Sequence, residues 1–383
     1  MKKVLKWFLY YLGSILYGGG RTVINKEITI KKISVNGRPS FFGYYDKYPE
    51  RNGRVLFHSI SDNNSEKLDI AIKDIETDKS LRILGNTSSF NWQQGARLMW
   101  LNDNEVIFND YNKGKPSCIR VSLDGEIIRY PFSIHDCYLD KFSLTLNYAR
   151  LTRYSPDYGY DVAKFELLDD VNDGIWYNSL IDRKSKLLVS LSQCKNIVRG
   201  DDQSHLSHWI NHIMISPKGD KCIFIYRFKK YGKRKDSLML LNLSNNELTV
   251  LKSDSFVSHM SWENNENLIG YLVGPRGKAY YRINTYNNQW DLVLKNIKGD
   301  GHPTVIDNLL ITDTYPGLNR TKELYIYNIN NRRTRNVATF EESMRFWGPT
   351  RCDLHPKVKD NLREIYIESV HGGLRNLYKI YDE

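Results

Sequence analysis

Cysteine is scarce and scattered. Only five occur in 383 residues, at Cys118, Cys137, Cys194, Cys222 and Cys352, with no CxxC pair among them. An odd number without paired spacing argues against a disulfide framework and for a reducing compartment. Other absences narrow the field further. No apolar run reaches the ~20 residues of a confident bilayer-spanning helix, and no G-x-S-x-G marks a serine hydrolase. GPRGKA at Gly274 lacks the glycine spacing and the Ser/Thr of a phosphate loop. Zinc-finger spacing and the aromatic signature of RNA-binding sheets are also missing, which argues against nucleic acid as a partner. No stretch rich in Pro, Ser and Gly divides the chain.

What is present is a globular, basic, tyrosine-rich chain. Hydrophobic residues make up 41% and aromatics 13%, enough for a packed core. The 26 tyrosines suit strands, and they equally suit sugar-binding clefts, where a ring offers an apolar face and a polar tip. A net charge of +11 favours a polyanionic partner such as an acidic glycan or an anionic membrane surface.

Residues 1–20 stand apart. Lys2, Lys3 and Lys6 precede or interrupt an apolar segment ending in Gly18-Gly19-Gly20. Wound as a helix, the segment puts Leu5, Phe8, Leu9, Leu12, Ile15 and Leu16 on one side and Lys3, Lys6 and Tyr10 on another. Two readings stay open: an amphipathic helix that docks or contacts a membrane peripherally, and a secretory signal or short anchor. Lys6 interrupts the apolar region and no A-x-A-like site follows, which weighs against the signal.

From residue 27 the chain reads as β units. A single alternating strand at 27–35 is followed by units at 41–84, 92–132, 135–191, 204 onward, 256–294, 299 onward and 351–381. The fourth is the clearest. SHLSHWINHIMIS leads to the turn Ser216-Pro217-Lys218-Gly219-Asp220, and residues 221–228 then alternate Cys222, Phe224 and Tyr226 against Ile223, Ile225 and Arg227. That is the period of a half-buried strand. A basic loop at 229–235 and another strand follow. Repetition every ~40 to 50 residues, all β, with one strand left over at the N-terminus, predicts a β-propeller closed by that strand completing the last blade. The count is seven. The third unit is irregular, with an insert at 154–173, so six and eight blades stay open beside a two-domain sandwich. The expected organisation is an N-terminal helix at 1–20 and a propeller domain at 27–383.

In a propeller the innermost strands line one channel, so matching positions in different blades meet in space. Here those positions hold His212, His259, His302 and His355, with Asp353 two residues before His355 and therefore on the same face. Imidazoles and a carboxylate around one channel can hold a divalent cation with mixed nitrogen and oxygen ligands. His259, His302, Asp353 and His355 are the candidate ligands. Mn²⁺ or Ca²⁺ is favoured over Zn²⁺. A repeat also inherits structural histidines, and for His58, His135, His205, His208 and His371 taken singly that reading leads. His208 and Lys229 are nonetheless retained as candidate substrate contacts. Arg227 is placed to neutralise a carboxylate by a bidentate pair.

W-I-N-H-x4-P-x-G-D, S-H-M-S-W, G-H-P-T and D-L-H-P resemble the blade openings of the oligogalacturonate lyases, seven-bladed propellers that cleave uronate oligomers by β-elimination. The resemblance covers 205 to the C-terminus and the terminal strand arrangement. It implies that His212 is the catalytic base and that His259 and His355 ligate a divalent metal. Two positions depart from the family pattern: Asp353 stands where the family has a second histidine, and a family glutamine ligand falls near Thr350 or Arg351.

Two functions are carried forward. One is a lyase acting on an acidic bacterial polysaccharide, with His212 as base and Arg227 beside it. The other is a non-catalytic propeller that binds a glycan or protein in surface-polysaccharide assembly. The expected location is cytoplasmic or peripheral to the inner membrane, with the periplasm as alternative.

Overall fold

A computed structural model describes residues 2–16, 21–34, 37–61, 66–75, 81–162, 167–199, 207–295, 297–358 and 364–382. Seven antiparallel sheets follow one another along the chain. The first six occupy residues 40–87, 99–130, 136–190, 208–255, 257–294 and 304–341. The seventh combines Glu364–Ser369 and Asn376–Asp382 with Ile28–Ile33 from the other end of the chain. Ile28 pairs with Asp382 and Ile33 with Leu377, so the leftover N-terminal strand closes the ring as its sequence position predicts. The sandwich and the other blade counts are thereby excluded. Closure also pairs edges that would otherwise be open to aggregation. Val23–Ile24 extends it by adding a short fifth strand to blade 6, with Val23 opposite Thr339.

The core lies between blades. In the fourth blade Cys222, Phe224 and Tyr226 pack with Leu144, Ile175 and Val189 of blade 3. Ile223 and Ile225, on the other face of the same strand, pack with Val257, Leu268 and Leu272 of blade 5. The strand is therefore buried on both faces rather than half-buried. The alternation is present, but each face feeds a different interblade core, because a propeller blade has a neighbour on both sides.

The turn before that strand shows how local chemistry sets the meander. Gly219 adopts φ +72°, which a Cβ would disfavour, its N–H donates to Ser216 O at 2.9 Å, and Ser216 Oγ donates to Asp220 at 2.7 Å.

The third unit is not all β. A helix at Tyr148–Tyr154, capped by Asn147 Oδ1 accepting the N–H groups of Ala149 at 2.9 Å and Arg150 at 3.1 Å, starts ahead of the insert expected at 154–173, and a 3₁₀ turn at Pro156–Tyr158 follows inside it. A further helix, Leu191–Arg199, links blades 3 and 4. At the N-terminus a helix, here α1, runs over Lys2–Leu16.

Candidate active site at the mouth of the channel

Four histidines from four successive blades meet. Ring centroids are 5.7 Å apart for His212 and His259, 4.2 Å for His259 and His302, and 4.3 Å for His302 and His355. Tyr44, from the opening of blade 1, completes the circle, stacking on His212 at 5.3 Å and lying 5.1 Å from His355. All five side chains are buried.

The backbone is bent to achieve this. Asn211 pairs with Ile225 but Met214 with Ile223, so blade 4 carries one extra residue at His212 and Ile213. Blade 5 repeats the device: Val257 pairs with Leu272 and Met260 with Gly270, bulging out Ser258 and His259. A bulge re-aims a side chain that the strand period would send elsewhere. His212 and His355 also sit at φ +53° and +47°, a left-handed conformation uncommon outside glycine.

Carboxylates stand behind two of the rings. Asp313 accepts the His302 N–H at 2.7 Å and lies 2.9 Å from its Nδ1. Asp300 lies 3.2 Å from His259 Nδ1, which Ser258 Oγ also approaches at 3.1 Å. With Nδ1 engaged, each ring turns Nε2 away from its carboxylate, the orientation that second-sphere carboxylates impose on metal-binding histidines. Among the described residues His302 Nε2, both nitrogens of His212, both of His355 and the Tyr44 hydroxyl have no hydrogen-bond partner although buried. That is an unusual concentration, since buried polar atoms are normally paired.

Burial, reinforced by Arg227, pushes His212 well below its ordinary pKa, and burial with His302 does the same to His355. His259 is lowered for the same reason. Burial acts on His302 as well, but Asp313 and its neighbouring carboxylates outweigh it and hold the ring above its usual value. Asp353 is lowered: its own burial opposes ionisation, and Arg351 and His302 override that.

His302, Asp353 and His355 each offer a ligand atom within 4.8 Å of the others, and all three residues are buried. Two imidazoles and a carboxylate with orphaned nitrogens fit a divalent cation. His259 does not belong to this tight group, although its ring lies against His302. Asp353 has a competitor for any cation: Arg351 Nε bonds it at 3.0 Å, while Arg351 Nη1 reaches Asp157 at 2.7 Å.

Over this cluster opens a cleft of about 850 Å³. Tyr158, Arg227, His259, Asp300, Tyr315 and Arg351 line it, with Trp347 and residues Lys6, Trp7 and Tyr10 of α1 also on its walls. Of the residues singled out in the sequence, Arg227 and His259 thus face the cleft. His212, His302, Asp353 and His355 lie one layer beneath, and the Tyr158 ring stands edge-on to His212 at 5.0 Å. His208 and Lys229 are not in the cleft wall. Both His208 nitrogens are taken, by Tyr226 and Asp170 at 2.8 Å each, and Lys229 is exposed on its hairpin. His205 lies outside the described residues.

The sequence reading missed Tyr44, Tyr158, Asp300, Asp313 and Tyr315. Asp300, two residues before His302, and Tyr315, in the run TDTYP, carried a usable signal because they flank a blade opening already flagged. Tyr158 did not, since only the helical insert brings it over the channel.

No protein-family model matches the sequence, and no curated protein matches it. Solved structures do match. An oligogalacturonate lyase from Vibrio parahaemolyticus superposes with a TM-score of 0.66 at 12% identity, over 94% of this chain and 96% of the other. An oligogalacturonate lyase in complex with manganese gives 0.63 at 13% identity, over 95% and 98%. The β-propeller domain of the trilobed protease from Pyrococcus furiosus gives 0.52 at 9% identity, over 90% and 96%. At these identities the likeness establishes the seven-bladed fold.

Proposed function

We propose that this propeller is a polysaccharide lyase that cleaves an acidic, uronate-containing glycan by β-elimination. The observation that carries the reading is the set of buried imidazoles with unpartnered nitrogens directly under a cleft walled by arginine and aromatic rings. The likeness in fold to two oligogalacturonate lyases, one of them a manganese complex, is consistent with it.

The chemistry follows from the charges. A proton next to a carboxylate leaves only when the carboxylate's charge is neutralised and the developing enolate is stabilised. Arg227, beside Asp236, and Arg351, whose Nε and Nη1 already engage Asp353 and Asp157, bring guanidinium charge to the cleft wall, where a substrate carboxylate would pair with it. His302, Asp353 and His355 would hold a divalent cation, which when bound adds positive charge at the same carboxylate. His212 is neutral at neutral pH because burial and Arg227 depress it, so it accepts a proton without first losing one. Substrate reaches it once the Tyr158 ring turns aside. Tyr315 and Trp347, which line the cleft, supply rings on which sugar rings would stack.

One observation favours the second reading, a glycan-binding propeller without catalysis: Arg351 already occupies a carboxylate oxygen of Asp353. The two separate on a single experiment. Wild-type protein incubated with uronate polymers and Mn²⁺ is expected to generate the ultraviolet absorbance of an unsaturated uronate, and His212→Ala is expected to abolish it. Retained glycan binding without that absorbance would establish the non-catalytic reading.

A further inference from the structure

Helix α1 has two faces with opposite fates. Its inner face is fixed to the propeller. The Tyr10 ring lies 5.3 Å from Trp347, and the Arg320 guanidinium lies over both rings at 5.9 and 5.5 Å. Gly13 packs so closely on the Leu318 backbone that a Cβ would stand 3.0 Å from its carbonyl oxygen. Lys6, Trp7 and Tyr10 form part of the cleft wall. These contacts settle which way the rest of the helix points.

The outer face carries Leu5, Phe8, Leu9, Leu12 and Ile15, a stripe with the i, i+3, i+4, i+7 spacing of one helical side. Every one of these side chains is between 37% and 59% exposed. Leu318, against which Gly13 packs, adds another exposed apolar group at the helix edge. Scattered surface leucines need no explanation, but a continuous stripe on one helix does. Among the described residues no helix is long and apolar enough to cross a membrane. An apolar stripe left exposed on a helix whose opposite face is fixed to the protein is the pattern of one that lies in the interface.

Charge selects among occupants. The sequence KKVLKWFLYYLGSIL contains three lysines and no acidic residue. A second copy would bring up another chain of net charge +11, whereas anionic headgroups complement that charge. We infer that α1 seats this protein on an anionic bilayer surface through Leu5, Phe8, Leu9, Leu12 and Ile15. Because the same helix walls the cleft, its mouth then lies within about one helix diameter, about 10–12 Å, of the lipid. The glycan handled there is one presented at a membrane surface. This assignment is independent of whether the cleft is catalytic.

Flotation of the full chain with vesicles tests it. The protein should float with vesicles of equal parts phosphatidylglycerol and phosphatidylcholine, less with phosphatidylcholine alone, and less again as salt is raised. Leu9→Glu combined with Leu12→Glu, at two exposed positions, should weaken partitioning about tenfold or more while leaving thermal unfolding unchanged. Absence of flotation with the anionic vesicles would overturn the inference, as would equal flotation of the double variant. So would light scattering that shows a dimer broken by the double variant, since the stripe would then be covered by a second copy.

Discussion

Asp313 is the residue through which His302 and His355 are held together. One carboxylate oxygen accepts the His302 backbone N–H at 2.7 Å and lies 2.9 Å from the ring Nδ1, while the other accepts the His355 N–H at 3.1 Å. A single side chain in blade 6 thereby fixes histidines from the openings of blades 6 and 7.

Asp313→Asn should therefore weaken Mn²⁺ binding by about 10–100-fold, the usual effect of losing a second-sphere carboxylate. Calorimetric titration checks the affinity, and an unchanged melting temperature would show that the fold is intact. Unaltered affinity would remove Asp313 from the account.

How much of this was legible in the sequence depends on the kind of information each feature needed. Blade openings were legible because turns such as Ser216-Pro217-Lys218-Gly219-Asp220 are local. The meeting of His212, His259, His302 and His355 was legible because repetition turns distant positions into equivalent ones. The bulges were not. Nothing in WINHIMIS announces that Asn211 and Met214 will pair with residues only two apart. The partners of the rings were also hidden, since Asp313 stands 11 residues from His302 and 42 from His355 and meets both only after the blades assemble. His208 shows the opposite case: it is a histidine in the richest stretch of the chain, and Tyr226 and Asp170 use both its nitrogens.

His212 and Tyr158 should separate kinetically. If His212 takes the proton, His212→Gln lowers kcat by about 10²–10⁴-fold with KM and Mn²⁺ affinity little changed. Tyr158→Phe keeps the ring and loses only the hydroxyl, so kcat should persist. A collapse of kcat in Tyr158→Phe would make that hydroxyl a proton carrier rather than a cover over His212.

Arg351 bridges Asp353 at 3.0 Å and Asp157 at 2.7 Å at the cleft wall. Arg351→Ala should raise KM for uronate oligomers by about tenfold or more, through loss of a charged hydrogen-bonding partner. Mn²⁺ should bind at least as tightly, because Asp353 is released. Weaker Mn²⁺ binding in the variant would show instead that Arg351 shapes the ligand set.

Acid should destabilise the fold through His58. This ring is wholly buried, with Nε2 accepting the Ala96 N–H at 3.1 Å, and burial lowers its pKa from 6.5 to about 4. Between those values the unfolded chain binds the proton and the folded chain does not. The stability it contributes is complete above 6.5 and is lost as pH falls towards 4, on the order of 3 kcal/mol in all. Urea unfolding at about pH 7 and about pH 5 should show the fall, with a shallower one in His58→Gln. Identical pH profiles for the two proteins would contradict it.

The central claim is that the blades bring His302, Asp353 and His355 into one site able to hold a divalent ion. Electron paramagnetic resonance of Mn²⁺ added to the purified chain measures this directly. The free-ion signal should disappear as the ion is taken up one to one, and should persist with His355→Ala. A free-ion signal undiminished by the wild-type protein would contradict the claim.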